Sequence, residues 1–311
     1  MAEFAVTVIG SGSALPMNGR HPSAQVVQYD DIFCLIDCGE GTQTRLRDSG
    51  IKPFKINIIL ISHLHGDHVF GLPGLLSSFS HLQRKEALTV FGPVGIKGLL
   101  DETRRYTEMK INYPLHIVET EAKNLVKIWA KGNLDVFTFP LQHRIPCNGY
   151  LLKERTSLYK LRKEVVESMK LTPELIHQLQ RGEDIEINES ILPNHLMTYG
   201  QELPLSYAYC SDTQYSKKII PWIKNVTMLY HETTFENDLI ETAELTGHST
   251  AADAGRMAAE AGVSWLLTGH YSSRYKDVGE LIREAKEHFP HVLESIEGKK
   301  YSLRMPTQQH P

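Results

Sequence analysis

The sequence has no apolar run approaching the roughly 20 residues that a membrane-spanning helix needs. Cysteine is scarce. The four present, Cys34, Cys38, Cys147 and Cys210, form no Cys-x-x-Cys pair, which excludes a small disulfide-stapled scaffold. Cys34, Cys147 and Cys210 stand in or beside apolar strand-like runs, so buried reduced thiols are expected. Positive charge is not in excess either, the formal net charge being -4 at pH 7. That removes any global sign of nucleic-acid binding while leaving room for a local basic surface. The N-terminus, Met1 to Val6, lacks the basic start and apolar centre of a signal peptide. A cytoplasmic protein with no membrane partner is the expectation. No internal repeat or low-complexity stretch is present, and the His-Glu-x-x-His spacing of a zincin helix does not occur.

What is present suits an ordinary globular protein. The 311 residues, 41% hydrophobic and 23% charged, suffice for one large two-layer domain or two smaller ones. Short β-rich runs alternate with helical segments, the pattern of a mixed α/β fold. Ala5 to Ile9 reads as a strand that stops at the turn-rich Gly10-Ser11-Gly12-Ser13. Ser23 to Tyr29 and Ile32 to Asp37 predict a hairpin around Asp30-Asp31, followed by a short helix from Gly39 to Asp48. Ser249 or Thr250 can cap an alanine-rich helix that Gly262 stops. Asp277 to Phe289 reads as a second clear helix, ended by Pro290, and Pro306 to Pro311 as a frayed tail.

One segment breaks the rhythm. Leu151 to Leu203 shows little β pattern and two helix-like stretches, Ser157–Met169 and Pro173–Gln180. It reads as an arm inserted between two core strands. The expected division is therefore one domain from residues 1–150 and 204–305, an arm over 151–203 and a tail over 306–311. Within Leu151 to Gly182 stand seven basic residues, Lys153, Arg155, Lys160, Arg162, Lys163, Lys170 and Arg181, against four acids. On charge alone this is a solvated helical face.

The chemistry gathers at strand ends. Asn57 to Ile61 leads to His63, Val136 to Leu141 to His143, Ser206 to Cys210 to Asp212, Val226 to Tyr230 to His231-Glu232, and Trp265 to Gly269 to His270. Loops at strand ends converge on one crevice in α/β proteins, so five such ends suggest one shared site. The run His63-Leu-His-Gly-Asp-His68 is the sharpest. Imidazole and carboxylate are the usual ligands of hydrolytic zinc. His63 and His65, two apart in extended chain, share a face, and Gly66 then permits a turn that presents Asp67 and His68. His81, His116, His177 and His288 lack such context and are left as surface or core histidines.

These residues resemble the ribonuclease Z (tRNase Z) family of the metallo-β-lactamase superfamily. The resemblance runs from about Phe4 to Tyr275. It includes Gly10-Ser-Gly-Ser-Ala-Leu-Pro16, Asp37-Cys-Gly-Glu-Gly-Thr-Gln43, Ile61-Ser-His-Leu-His-Gly-Asp-His68, His231-Glu-Thr-Thr-Phe235, His248-Ser-Thr250 and His270-Tyr-Ser-Ser-Arg-Tyr275. It implies an αββα sandwich with an inserted helical arm, and an endoribonuclease that trims the 3′ trailer of precursor tRNA, leaving a 3′-hydroxyl. It implies two zinc ions, with manganese as an alternative. One is held by His63, His65 and His143, the other by Asp67, His68 and His270, and Asp212 bridges them.

Asp67 is expected to orient or deprotonate the attacking water. His248 would give a proton to the departing oxygen, with Glu232 holding its tautomer, and Arg274 would clamp phosphate. The arm becomes an RNA-gripping exosite through Lys153, Arg155, Lys160, Arg162 and Lys163, often across a homodimer. The arm shows Leu171-Thr-Pro-Glu174 where bacterial relatives commonly carry Gly-Pro, and His231-Glu is followed by Thr233 where Ala is usual. A phosphodiesterase or arylsulfatase-like hydrolase of the same fold is the alternative, because fold alone does not choose a substrate.

Overall fold

The computed structural model describes residues 3–155, 158–187, 190–201 and 203–304. Residues 306–311, expected as a frayed tail, lie outside them. Two seven-stranded sheets face each other. The first runs in the order Lys300–Ser302, Phe4–Gly10, Ala24–Tyr29, Ile32–Ile36, Ile56–Leu60, Leu88–Gly92 and Leu115–Glu119. The second runs Val292–Glu294, Trp265–Gly269, Met228–Glu232, Ser206–Cys210, Cys147–Glu154, Leu134–Leu141 and Val126–Lys131.

Alternation along each strand builds the layers. Cys34, Ile36, Ile58 and Leu60 meet Tyr150, Tyr209, Tyr230 and Leu267 between the sheets. Leu35, Ile59 and Ile61 face outward onto the helix Leu72–His81. Leu229 and Leu266 face outward onto the helix Ala251–Ala261. Strands buried on both faces read as continuous apolar runs, and here they do. The result is the expected αββα sandwich.

Local chemistry sets the helices where the sequence places them. Thr250 caps Ala251–Ala261 in a capping box: its hydroxyl accepts the Asp253 N–H, and the Asp253 carboxylate accepts the Thr250 N–H. Gly262 ends that helix in the left-handed region, at φ 63°. The second helix is slightly shorter than expected, Gly279–His288, with the Asp277 carboxylate accepting the Gly279 N–H. All four cysteines are buried and free, as expected of reduced thiols.

The arm corrects two expectations. Leu151 to Glu154 belong to the sheet strand Cys147–Glu154, paired with both neighbours, so the excursion begins beyond them. The first arm helix runs only from Lys163 to Met169. Ser157 lies outside the described residues, and Tyr159–Leu161 is a strand paired with Thr198–Gln201. Ile185–Ile187 and Ser190–Leu192 form a second small ladder. The helical reading failed at Tyr159–Leu161 because cross-strand pairing overrode a weak local preference. The second helix, Pro173–Gln180, starts and stops as expected, with Thr172 as its cap. A small apolar cluster around Leu179, Ile185 and Met197 gives the arm its own core.

Candidate metal centre

Parallel pairing decides where the strand ends meet. Ser206–Cys210, Met228–Glu232 and Trp265–Gly269 run parallel, so Asp212, Glu232 and His270 emerge at one end of the second sheet. Ile32–Ile36 and Ile56–Leu60 run parallel in the first, delivering Asp37 and His63 to the same end. His63 and His65 follow in extended chain. Asp67 and His68 sit in the helical turn Gly66–Val69.

The side chains form two lobes. In one, His63 Nε2 lies 3.0 Å from His65 Nδ1, and His143 Nε2 lies 3.3 Å from that same atom. In the other, His68 Nε2 and His270 Nε2 stand 3.3 Å apart, with Asp67 Oδ2 3.5 and 3.4 Å from them. Asp212 lies between the lobes. Its Oδ1 is 3.4 Å from His68 and 3.2 Å from His270, while its Oδ2 is 3.4 Å from His63 and 3.9 Å from His143.

The donor chemistry fits divalent cations. Four of the five rings are tied back through Nδ1: His63 to the Ser62 hydroxyl, His68 to Asp37, His143 to the Gly247 carbonyl and His270 to the Thr234 hydroxyl. Those ties turn the four Nε2 atoms inward, toward one another or toward His65 Nδ1, the arrangement in which imidazoles share a cation. Charge points the same way. Asp37, Asp67, Asp212 and Glu232 are buried or nearly so, and among the described residues their ion-pair partners are histidines alone. Buried carboxylates without Lys or Arg call for another cation. His65 is pulled down to about 4 by burial and by His63 and His143 beside it, so the imidazole is neutral and ready to ligate.

Glu232 and His248 form a second unit. The buried Glu232 carboxylate accepts the Thr213 N–H, the Thr234 hydroxyl and His248 Nδ1, the last at 3.0 and 3.1 Å. Burial alone would lower the His248 pKa, but Glu232, with help from Asp212, raises it to about 9. With Nδ1 held by Glu232, His248 presents Nε2–H as its free donor. His231, by contrast, turns its Nδ1 to the Glu232 carbonyl at 2.8 Å and does not join the cluster.

The centre opens into a cleft of about 630 Å³ lined by Ala14, Leu15, Phe70, Phe235 and Arg144 as well as the cluster. Arg274 lies on its rim, where its guanidinium stacks 5.0 Å over Phe235 and donates to the Ser272 hydroxyl. Arg144, which directly follows His143, also reaches the cleft and has no ion-pair partner among the described residues. Sequence reading passed over it, and over Asp37, Thr234 and Gly247. Asp37 could have been found, since it too ends an apolar strand.

Of the arm cations, Lys153 is in the sheet, and Arg155 pairs with Asp135. Arg162 stacks 4.9 Å over Tyr199 and donates to the Thr198 carbonyl. Lys160 and Lys163 line a larger cavity of about 1140 Å³ between the arm and the turn at Asp30-Asp31, at the far end of the sandwich from the metal cluster. That cavity mixes acids and bases and holds none of the cluster residues. His81, His116, His177 and His288 are all exposed and apart from the centre.

A family model described as Anti-Pycsar protein Apyc1 matches residues 4–104. Ribonuclease Z of Parabacteroides distasonis is 37% identical over 304 residues, covering 97% of this chain and 100% of the relative. Ribonuclease Z of Porphyromonas gingivalis is 38% identical over 304 residues, with the same coverage. Among solved structures, human tRNase Z, short form, superposes with a TM-score of 0.70 at 24% identity, covering 97% of this chain and all of that one. The metallo-β-lactamase fold protein YhfI of Bacillus subtilis does so with a TM-score of 0.68 at 19% identity, covering 96% and 99%. These structural likenesses speak to the fold. The full-length identity goes further, and this chain belongs to the ribonuclease Z family of metal-dependent endoribonucleases.

Proposed function

We propose that the protein cuts the 3′ trailer from precursor tRNA with two divalent ions, zinc or alternatively manganese, leaving a 3′-hydroxyl on the tRNA. The observation that carries this reading is the two-lobed donor set, with one Asp212 oxygen turned to each lobe, in a chain matching ribonuclease Z relatives end to end. His63, His65 and His143 would hold one ion, and Asp67, His68 and His270 the other. Bound there, the ions supply Lewis acidity, lowering the pKa of a water and cancelling phosphate charge.

The chain's own groups do the rest. Asp67, steadied by the Ala14 N–H at 2.8 Å, orients the attacking water and accepts its proton. His248 is kept protonated by Glu232 and delivers the Nε2 proton to the departing oxygen. Arg274 and Arg144 offer guanidinium groups to phosphates entering the cleft.

The placement of the arm favours a homodimer. The arm leaves after Glu154 and returns before Ser206, the ends of their strands opposite the metal cluster. An eight-residue strand spans about 26 Å, so an arm rooted there and gripping the tRNA body suits a partner's active site better than its own. No helix of the described residues is long and apolar enough to cross a membrane. The free buried thiols fit the reducing cytoplasm, where tRNA is processed.

The test is to incubate purified protein with a trailer-bearing precursor tRNA and with a small phosphodiester, with and without chelator, and map the cut. Cleavage at the trailer that is abolished by chelation and restored by zinc or manganese supports the proposal. Hydrolysis of the small phosphodiester with the precursor left intact favours the phosphodiesterase alternative.

A further inference from the structure

The loop Gly10–Pro22 forms one wall of the catalytic cleft through Ser13, Ala14, Leu15 and Pro16. It is strained where it matters most. Ala14, whose N–H reaches Asp67 Oδ2 at 2.8 Å, has φ 49°, a left-handed conformation that is strained for a residue with a Cβ. Such a conformation persists only when the surroundings over-determine it. Two sets of contacts do so.

At the tip, Asn18 Nδ2 donates to the Ser273 carbonyl at 2.7 Å, and Arg20 donates to the Tyr275 carbonyl. At the base, a single carboxylate gathers the chain. Glu297, on the turn that joins the last strands of the two sheets, accepts the Ser11 N–H at 3.1 Å, the Ser11 hydroxyl at 3.2 Å and the His21 N–H at 2.7 Å on Oε1. Its Oε2 meets His21 Nδ1 at 2.7 Å and Arg45 at 3.6 Å. The Glu297 side chain is only 7% exposed. A buried carboxylate with that many donors from both ends of one loop is a clamp.

We propose that Glu297 is a positioning residue of the catalytic centre: it closes the base of the Gly10–Pro22 loop and so keeps the Ala14 N–H on Asp67. The path runs from Glu297 to Ser11 and His21, along the strained loop to Ala14, and from its N–H to the carboxylate. The same base also sets the neighbouring catalytic loop, since Tyr271 N–H donates to the Ser11 carbonyl at 2.9 Å and the Ser13 N–H to the Tyr271 carbonyl at 3.0 Å. Tyr271 directly follows His270. This inference rests on the metal-binding reading of the cluster, but not on the identity of the substrate.

The experiment compares wild type, Glu297→Ala and Glu297→Gln by three readouts. Amide exchange of residues 11–21 is measured in metal-free protein, zinc retention by chelator titration, and kcat and KM on bis(p-nitrophenyl) phosphate. The Ala variant is expected to exchange those amides faster, to lose zinc at about tenfold lower chelator and to lose about tenfold in kcat with KM little changed. The Gln variant keeps Oε1 as an acceptor and is expected to recover most of each effect. A folded Ala variant with wild-type zinc retention and kcat overturns the proposal, even if its Tm is lower. If Glu297→Ala fails to fold, the double variant Ser11→Ala/His21→Ala removes two of the donors and must shift zinc retention in the same direction. Wild-type protein that takes up no zinc would sink the metal reading instead, and amide exchange of residues 11–21 alone then decides the clamp.

Discussion

Asp212 carries the centre's division of labour in a single side chain. Its two oxygens face different lobes at comparable distances, so its removal opens both. Asp212→Ala is therefore expected to lower bound metal, read by mass spectrometry, and to cut turnover by about 10³ or more. His248 behaves differently. It lies beside the lobes, held by Glu232, and in the proposed mechanism it contributes a proton instead of a ligand. Its substitution by Ala should leave zinc content intact while kcat falls about 10²- to 10⁴-fold, the usual range for losing a general acid. Near-normal cleavage by that variant would remove His248 from the mechanism. The donors were legible in the sequence because residue type and position after an apolar strand are local facts. The groups that orient them were not. His143 meets Gly247 across 104 residues, His270 meets Thr234 across 36, and His68 meets Asp37 across 31. No pattern in the sequence states those distances.

Among the elements, the helix Ala251–Ala261 was the most readable, since a cap, an acid in the first turn, alanines and a stop glycine all agree. Thr250→Ala removes the hydroxyl half of the capping box, leaving the backbone N–H of residue 250 on the Asp253 carboxylate, and should cost about 1 kcal/mol, seen as a lower urea midpoint at unchanged m-value. Because Thr250 lies two residues beyond His248, a loss of kcat larger than the stability change would show that the cap also sets the proton donor. The arm elements were the least readable. Tyr159–Leu161 carries no strong strand signal of its own and becomes a strand by pairing with Thr198–Gln201, some 40 residues on. Arg162, which counted as a free arm cation on sequence, spends its guanidinium on Tyr199 and the Thr198 carbonyl. Charge counting cannot separate such a cation from one left free.

Taken whole, the molecule keeps its chemistry and its arm at opposite ends of one sandwich. Lys153 pairs with Ser206, so the two chain ends at the arm's root are already neighbours. Replacing residues 158–201 by a short linker should therefore leave the sandwich folded and a small phosphodiester cleaved near the wild-type rate. If the arm grips tRNA as proposed, precursor-tRNA cleavage should fall at least about tenfold. Equal loss of both activities would place the defect in the core instead of the arm.

The sequence by itself determined which residues are candidate metal donors and the layered class of the fold. Ligand chemistry resides in residue types, and strands buried on both faces announce themselves as continuous apolar runs. The division of those donors into two lobes around Asp212 was implied by the family resemblance, but only the tertiary structure supplies the contacts that hold each ring in its lobe. The tertiary structure also decided that Glu297, far along the chain, closes the loop that steadies Asp67, and that the arm is rooted at the end of its strands opposite the metal cluster. These are matters of register and parallel pairing between distant segments, set by the burial of the whole core, and no single segment contains them.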